Sequence, residues 1–316
     1  MPRFLVTGGA GFIGSHLVAA LVGRGDEVRV FDNFSTGRDE NLGPVQDRIA
    51  LWRGDIRDRR ALQEVMVDID YVIHEAALVS ATRSVNCPEE THEVNVTGAL
   101  NVLIEASSAR VRRVVLASSS AVYGDGPVPA REDSLARPLT PYAASKLAAE
   151  AYAQAFSSTN KGLEVVCLRC FNVYGPRQDP SSEYSGVIAR FALALSAQEH
   201  GIIYGDGSQS RDFVYVDDVV RANLLACEVP GVRGRVFNIG TGQAIRIVDL
   251  YRRMGAICGI SKPPRFEPPR AGDILHSRSS PALAKRLLGF QVKVGLEEGL
   301  GRTLAWYGVR SSRSFR

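Results

Sequence analysis

A tyrosine and a lysine stand four residues apart at Tyr142-Ala-Ala-Ser-Lys146, in a run that reads as helix. Four residues is about one helical turn, so both side chains leave the same face and can reach one small target. A phenol loses its proton only near pH ~10, which makes it a poor base at neutral pH. A neighbouring ammonium favours the phenolate, so the pair reads as a general base with electrostatic support from Lys146. Taken alone, the same spacing also describes an ordinary exposed amphipathic helix. A second group with chemical potential is Gly8-Gly-Ala-Gly11-Phe-Ile-Gly14, whose glycines recur every third residue. A third is Ser118-Ser119-Ser120, at the end of an apolar run.

The elements around these groups decide what they can do. Arg3-Phe-Leu-Val-Thr reads as a strand that runs into the glycines, and Ser15-His-Leu-Val-Ala-Ala-Leu21 reads as the following helix. Glu27-Val-Arg-Val-Phe31 is a second strand ending at Asp32. Glycine is required at such a turn because the backbone bends tightly and must approach a pyrophosphate with no Cβ in the way. The helix N-terminus behind it adds free N–H groups and partial positive charge. With a strand before, a helix after and an acid at the end of the second strand, the turn predicts dinucleotide binding. Asp32 would accept from the ribose hydroxyls and repel a 2′-phosphate, which favours NAD over NADP, with Arg38 the nearest opposing charge.

The alternation continues. A third strand precedes Gly54-Asp55, Asp70 to Ala77 reads as a fourth, and Leu78 to Ser84 as a loop. A helix is expected from about Glu89 to Ala109, carrying Asn95. Arg112 to Ser118 is the fifth strand and Leu163 to Cys170 the sixth. These features predict an α/β fold with a doubly wound parallel sheet, spanning 1–170 and regaining elements near 211–242. Residues 171–316 break into shorter pieces and read mainly as a smaller, irregular substrate-binding part.

Composition removes several classes. A net charge of +4 spread over 316 residues gives no basic block before the C-terminus, so nucleic acid is not the expected partner. No apolar run is long enough to span a bilayer, and a strand pattern beginning at Phe4 leaves no room for a signal sequence. Five scattered cysteines, an odd number, argue for a reducing, cytoplasmic setting. Cys167 and Cys170 form a C-x-x-C, but residues three apart on a strand point to opposite faces and cannot share a metal. No metal site is expected.

The glycine spacing together with Tyr142 and Lys146 resembles the extended short-chain dehydrogenase/reductase superfamily. With Ser119, Asn172, Arg211, Arg270 and Asp273 added, the resemblance covers nearly the whole chain. It is similar to NAD-dependent sugar-nucleotide epimerases, nearest to UDP-glucose and UDP-N-acetylglucosamine 4-epimerases. The resemblance implies that NAD lies on Gly8, Gly11, Phe12, Ile13 and Gly14, with Asp32, Asn33, Ser35, Gly37, Asp55 and Ile56 around its adenosine. It further implies Ala76, Ala77, Val79, Asn95 and Ser118, with Tyr142 and Lys146, around the rest of the cofactor. The implied substrate contacts are Ser80, Arg83, Ser119, Ser120, Tyr142 and Asn172, then Val187, Tyr204, Arg211, Arg270, Asp273 and Ser277. In the implied reaction, Tyr142 takes the proton from the sugar 4-hydroxyl as hydride passes to the nicotinamide. Ser119 steadies that oxygen, and Lys146 holds the nicotinamide ribose and lowers the Tyr142 pKa. The arginines hold the diphosphate while the 4-keto sugar turns over.

Departures within the superfamily sharpen this. Dehydratases carry an Asp-Glu pair where this chain has Ser120-Ala121, and an alanine moves no protons. Uronate 4-epimerases carry an arginine where this chain has Asp179, whose charge would repel a C6 carboxylate. Ser277 stands where relatives have bulky residues, leaving room for an N-acetyl group. Cys170 replaces a frequent tyrosine, which implies looser NAD retention. The implied assembly is a homodimer through the helices carrying Asn95 and Tyr142. The competing readings are another NAD-dependent nucleotide-sugar enzyme (uronate epimerase, dehydratase or reductase) and a non-enzymatic NAD-binding regulator.

Overall fold

The computed structural model describes residues 1–159, 162–180, 186–269 and 274–309. The first half interleaves parallel strands with helices, save that only 3-10 turns join the second strand to the third. It runs β1 (Arg3–Thr7), α1 (Phe12–Arg24), β2 (Glu27–Asp32), β3 (Ala50–Arg53), α2 (Arg59–Val65) and β4 (Tyr71–His74). Next come α3 (Ala81–Asn86), α4 (Pro88–His92), α5 (Ala99–Ser108), β5 (Arg113–Ser119), α6 (Pro141–Thr159) and β6 (Glu164–Cys170). The second half is shorter-grained: β7 (Asn172–Tyr174), α7 (Val187–Ser196), β8 (Ile202–Tyr204), β9 (Ser210–Tyr215), α8 (Val216–Glu228) and β10 (Val236–Ile239). It ends with β11 (Ala244–Arg246), α9 (Ile247–Cys258), β12 (Arg265–Glu267), β13 (His276–Ser277), α10 (Ala282–Leu288) and α11 (Leu296–Trp306).

Seven parallel strands form the main sheet, in the order β10-β6-β5-β4-β1-β2-β3. The order reverses beside β1, and that is where a doubly wound sheet opens a crevice at its carboxyl edge. The fold is the doubly wound α/β class expected from the sequence. Strand alternation divides the core. Val6, Val30, Ile73, Val115 and Val166 pack toward α1 and α8, whereas Leu5, Phe31, Val72, Val114 and Val165 pack toward α2, α5 and α6. A third core, around Phe191, Phe213, Tyr251 and Leu300, holds the second lobe together. That lobe has two small sheets, one centred on β9 with β7, β11 and β13, the other pairing β8 with β12.

One local expectation needs correction. Leu78 to Ser84 is not all loop, because Ser80 accepts from the Arg83 N–H at 2.8 Å and starts α3 with a local cap. The helix expected from Glu89 to Ala109 is present, running without a break from Pro88 to Ser108. Within it lies a π-helical segment, Glu93–Gly98, which holds Asn95 buried between α4 and α5. Single π turns of this kind gather at functional sites.

Candidate active site

Tyr142 owes its place to the start of α6. Thr140 caps that helix, its hydroxyl accepting from the Ala143 N–H at 3.2 Å, and Pro141 occupies the first helical position. Tyr142, Lys146 and Glu150 then follow at one-turn intervals on the buried face. The Tyr142 side chain lies close enough to Ser119, at the end of β5, for that hydroxyl to favour the phenolate. Ser119 Oγ accepts from the Ala121 N–H at 3.1 Å, which fixes its position. Burial pushes the Tyr142 pKa up to about 12, against the lowering effect of Ser119.

Lys146, one turn along α6, has contacts of its own. Lys146 Nζ donates to the Ala117 carbonyl at 2.9 Å, and its charge faces Glu75. The groups that shift Tyr142 are burial, Ser119, Cys170 and Glu75. Lys146 itself is lowered by burial, with Glu75 the first group opposing that loss.

At the glycine turn, Gly8 has φ +70°, and a Cβ there would sit 2.6 Å from the Ala76 backbone nitrogen. A Cβ on Gly14 would collide with the Gly8 carbonyl oxygen. No side chain caps α1, so the first-turn N–H groups of Phe12 and Ile13 are left for an anion. Asp32 accepts from the Ala10 and Phe34 N–H groups at 2.9 and 2.8 Å, and burial raises its pKa. Gly37 lets the next loop cross this carboxylate, since a Cβ would lie 2.9 Å from Asp32 Oδ1. Arg38 is turned away to Asp179 at 2.6 Å. The residues therefore fit a dinucleotide diphosphate and a ribose without a 2′-phosphate. Farther along the edge, Asn33 donates to Asp55 at 2.9 Å, and Arg57 holds the Asp55 carboxyl down at about 2. Ser35 is exposed beside them and Ile56 is buried behind them.

A cavity of about 610 Å3 opens between α3 and the second lobe, with Thr140, two residues before Tyr142, in its wall. It is lined by Asn172, Val187, Tyr204 and Arg211 among the expected substrate residues, and by Gln178 and Arg190, which the sequence did not single out. Asn172 is anchored to the Asp212 carbonyl at 2.9 Å, and Arg211 to the Ser210 carbonyl at 2.9 Å. Ser277 pairs with Arg211 across β13 and β9 and is half-buried, but does not line this cavity. Arg270 and Asp273 lie outside the described residues.

Several expected contacts are spent elsewhere. Arg83 is bound by both Glu90 oxygens at 2.8 Å, so its guanidinium is matched within the protein rather than offered to an anion. Ser80 caps α3, and Val79 beside it is exposed. Asn95 accepts from the Leu78 N–H at 2.8 Å and donates to the Leu78 carbonyl and to Ser145, which fixes the strand-end loop. Ser118 donates to Glu150 on the α6 side of the sheet, so it faces away from Ser119. Ser120 opens a 3-10 turn, and Ala76 and Ala77 border the Gly8 turn half-buried. Asp179 faces Arg38 and not the cavity, which removes it as the group repelling a carboxylate. Cys167 and Cys170 pack into opposite cores, and all five cysteines are free. Among the described residues no cluster of three or more His, Cys, Asp or Glu could hold a metal ion, and no helix is long and apolar enough to cross a membrane.

Two polar residues that reading along the sequence missed are Glu150 and Arg169. Arg169 donates to both Glu150 oxygens, at 2.9 and 2.7 Å, and to the Tyr123 hydroxyl at 2.9 Å, all of them buried. Glu150 stands one further turn beyond Lys146, so continuing the spacing along α6 would have found it.

A glycine turn at the sheet crevice, with a Tyr-x-x-x-Lys pair on α6, defines a dinucleotide-dependent enzyme of the short-chain dehydrogenase type. Residues 4–240 match the NAD dependent epimerase/dehydratase family, and the chain belongs to it. It is 40% identical over 315 residues to UDP-glucose 4-epimerase of Mycolicibacterium smegmatis, covering 98% of this chain and 99% of that protein. It is also 32% identical to UDP-N-acetyl-alpha-D-glucosaminuronate decarboxylase of Bacillus cytotoxicus, covering 96% and 97%. Among solved structures it resembles UDP-N-acetylglucosamine 4-epimerase of Methanobrevibacter ruminantium in complex with UDP-N-acetylmuramic acid. That match has a TM-score of 0.92 at 36% identity, covering 97% and 98% of the two chains. UDP-glucose 4-epimerase of Thermus thermophilus in complex with NAD matches with a TM-score of 0.89 at 38% identity, covering 97% and 99%. The protein is an NAD-dependent enzyme.

Proposed function

We propose that the protein is a 4-epimerase of UDP-hexoses acting through a transient 4-keto sugar. The observation that carries this reading is the pairing of Tyr142 with Ser119, whose hydroxyl is held by the Ala121 N–H. One phenol with one hydroxyl helper removes and returns the proton of a single alcohol. The acid–base pair that dehydration adds is absent at 120 and 121. When bound, NAD supplies a nicotinamide that takes hydride from the sugar carbon and gives it back.

The chain's own residues do the rest. Tyr142 accepts the 4-hydroxyl proton and later restores it, with Ser119 holding the reacting oxygen. Arg211 and Asn172 anchor the nucleotide end in the cavity, a task suited to guanidinium and phosphate. That anchor leaves the sugar free to present either face. Arg270 and Asp273 complete the anchor in this proposal.

The preference for a neutral hexose rests on the lack of an arginine at 179. Ser277 is proposed to admit an N-acetyl group, so UDP-GlcNAc and UDP-GalNAc join UDP-Glc and UDP-Gal as substrates. The working form is proposed to be a cytoplasmic homodimer. A panel of UDP-sugars incubated without added NAD, followed by NMR at C4, tests the reading. The expected result is interconversion of C4 epimers by the wild type and none by Tyr142→Phe. Release of a decarboxylated or dehydrated product instead would replace it, and negligible turnover of UDP-GlcNAc beside UDP-Glc would remove the role given to Ser277.

A further inference from the structure

Asp212 stands between Arg211 and Phe213 on β9, and both of those neighbours line the cavity. Alternation along the strand sends the Asp212 side chain to the opposite face, where it is fully buried. A buried carboxylate is costly unless donors fill its oxygens. Among the described residues five donors do so. Oδ1 accepts from the Thr241 N–H at 2.9 Å and from the Thr241 hydroxyl at 2.5 Å. Oδ2 accepts from the Gly242 N–H at 3.0 Å, and from the Ser279 N–H and hydroxyl at 3.0 and 2.5 Å. Gly240 permits the close fit, because a Cβ there would lie 2.5 Å from Ser279 Oγ and 3.0 Å from Asp212 Oδ2.

Three chain segments meet at this residue, and two of them have just left the main sheet. Thr241 and Gly242 form the turn from β10, at the edge of that sheet, to β11, where Ala244 pairs with Asp212 itself. Asn172 opens β7 two residues after the end of β6, and its Nδ2 donates to the Asp212 carbonyl at 2.9 Å. Ser279 follows β13, whose Ser277 pairs with Arg211. The Arg211 guanidinium is oriented in turn by the Ser210 and Leu275 carbonyls, at 2.9 and 3.3 Å.

We infer that Asp212 is a positioning residue whose buried carboxylate, by pinning the Thr241–Gly242 turn and Ser279 to β9, sets Arg211 and Asn172 to receive the nucleotide diphosphate. The inference deepens the epimerase reading and takes from it the assignment of those two residues to the nucleotide end. The path to each is short. Ser279 held on Asp212 keeps β13 in register beside β9, and Leu275, just before β13, supplies a carbonyl that orients Arg211. Asn172 is held by the Asp212 backbone directly. An isosteric amide cannot replace the carboxylate. It turns one acceptor oxygen into an NH2 group that points hydrogens at donors, so either Thr241 or the Gly242–Ser279 side must let go.

The test is an NMR titration of the full-length protein, with NAD present, by UDP and by uridine. UDP is expected to bind the wild type more tightly than uridine, the difference being the diphosphate anchor. Asp212→Asn is expected to weaken UDP about tenfold, the equivalent of one hydrogen bond to a charged group, and to leave uridine unchanged. Thr241→Val, which removes one donor hydroxyl, is expected to shift UDP in the same direction, and Thr241→Ser to keep the wild-type value. This second pair decides the matter should Asp212→Asn not fold. Because the effect runs largely through the guanidinium, Asp212→Asn is expected to weaken UDP less in an Arg211→Gln background than in the wild type. A purely structural role would lower the urea midpoint of the variants while leaving the ratio of UDP to uridine affinity where it was, and that result overturns the inference. An equal loss of UDP affinity in both backgrounds overturns it as well. Failure of the epimerase reading shows elsewhere, in proteins with Asp212 intact. UDP bound no tighter than uridine by the wild type, or unaffected by Arg211→Gln, removes the anchor and the inference with it.

Discussion

Tyr142 sits in an environment that resists its ionisation, so the protein must supply stabilisation locally. Ser119 is the group that does so. Ser119→Ala is expected to lower kcat by on the order of 10²-fold and to shift the rising limb of the pH–rate profile to higher pH. Steady-state kinetics from pH 6 to 10 would show it. His74 gives a second residue-level outcome. Burial holds its pKa at about 3 against an ordinary 6.5, while Nδ1 is hydrogen-bonded to the Thr7 hydroxyl at 2.7 Å. The unfolded chain therefore binds more protons at this site between those two values. The stability it contributes is complete above about pH 6.5 and falls as pH drops toward the folded value. Glu75 acts in the opposite sense, its contribution being full below its ordinary 4.5 and lost as pH rises through about 7. The wild type minus His74→Gln difference isolates the first effect, and urea denaturation at pH 5 and pH 8 should show that difference growing with pH. At this scale the Tyr142–Lys146 pair was legible because chemistry ties residue types to spacing, whereas Ser119 was singled out only by the family resemblance. The partners of Arg83, Ser118 and Lys146 were not, because Glu90, Glu150 and the Ala117 carbonyl reach them only through the tertiary fold.

At the scale of elements, α6 carries Tyr142 and Lys146 and is locked to the sheet by the buried Glu150–Arg169 pair. Breaking such a pair leaves one charge buried without its match. Arg169→Met is expected to cost about 3–5 kcal/mol, measured as a shift in the urea midpoint at unchanged m-value. Combining it with Glu150→Leu should recover much of that loss, because the orphaned carboxylate is removed as well. The parallel strands were readable as short apolar runs, since both faces of each are covered by helices. The short α3 was hidden by its β-branched Thr82 and Val85, and no apolar period signals the π-helical segment at Asn95. That segment changes the number of residues per turn, so the helix was extended straight through it.

At the scale of the molecule, the outer face of α6 presents Ala144, Ala148, Ala151, Tyr152 and Ala155, beside Leu100 and Ile104 of α5. Small residues with a 40%-exposed tyrosine suit close approach of a second copy. Light scattering is expected to report a dimer for the wild type and a monomer for Tyr152→Asp, with the circular dichroism unchanged. The second lobe was only coarsely legible because its strands pair far along the chain. Ser210 and His276, or Asn172 and Phe213, become neighbours with no local signal to announce it. The loop 176–179 illustrates what such pairing brings about. His16 meets the Pro176 carbonyl at 3.0 Å, Arg177 donates to the Ser15 carbonyl at 3.1 Å, and Asp179 binds Arg38. Gln178, lodged among these ties, forms part of the cavity wall. The two lobes are therefore not interchangeable parts. A chimera that grafted a relative's second lobe onto this nucleotide lobe would inherit a displaced Gln178 unless residues 15, 16 and 38 travelled with it.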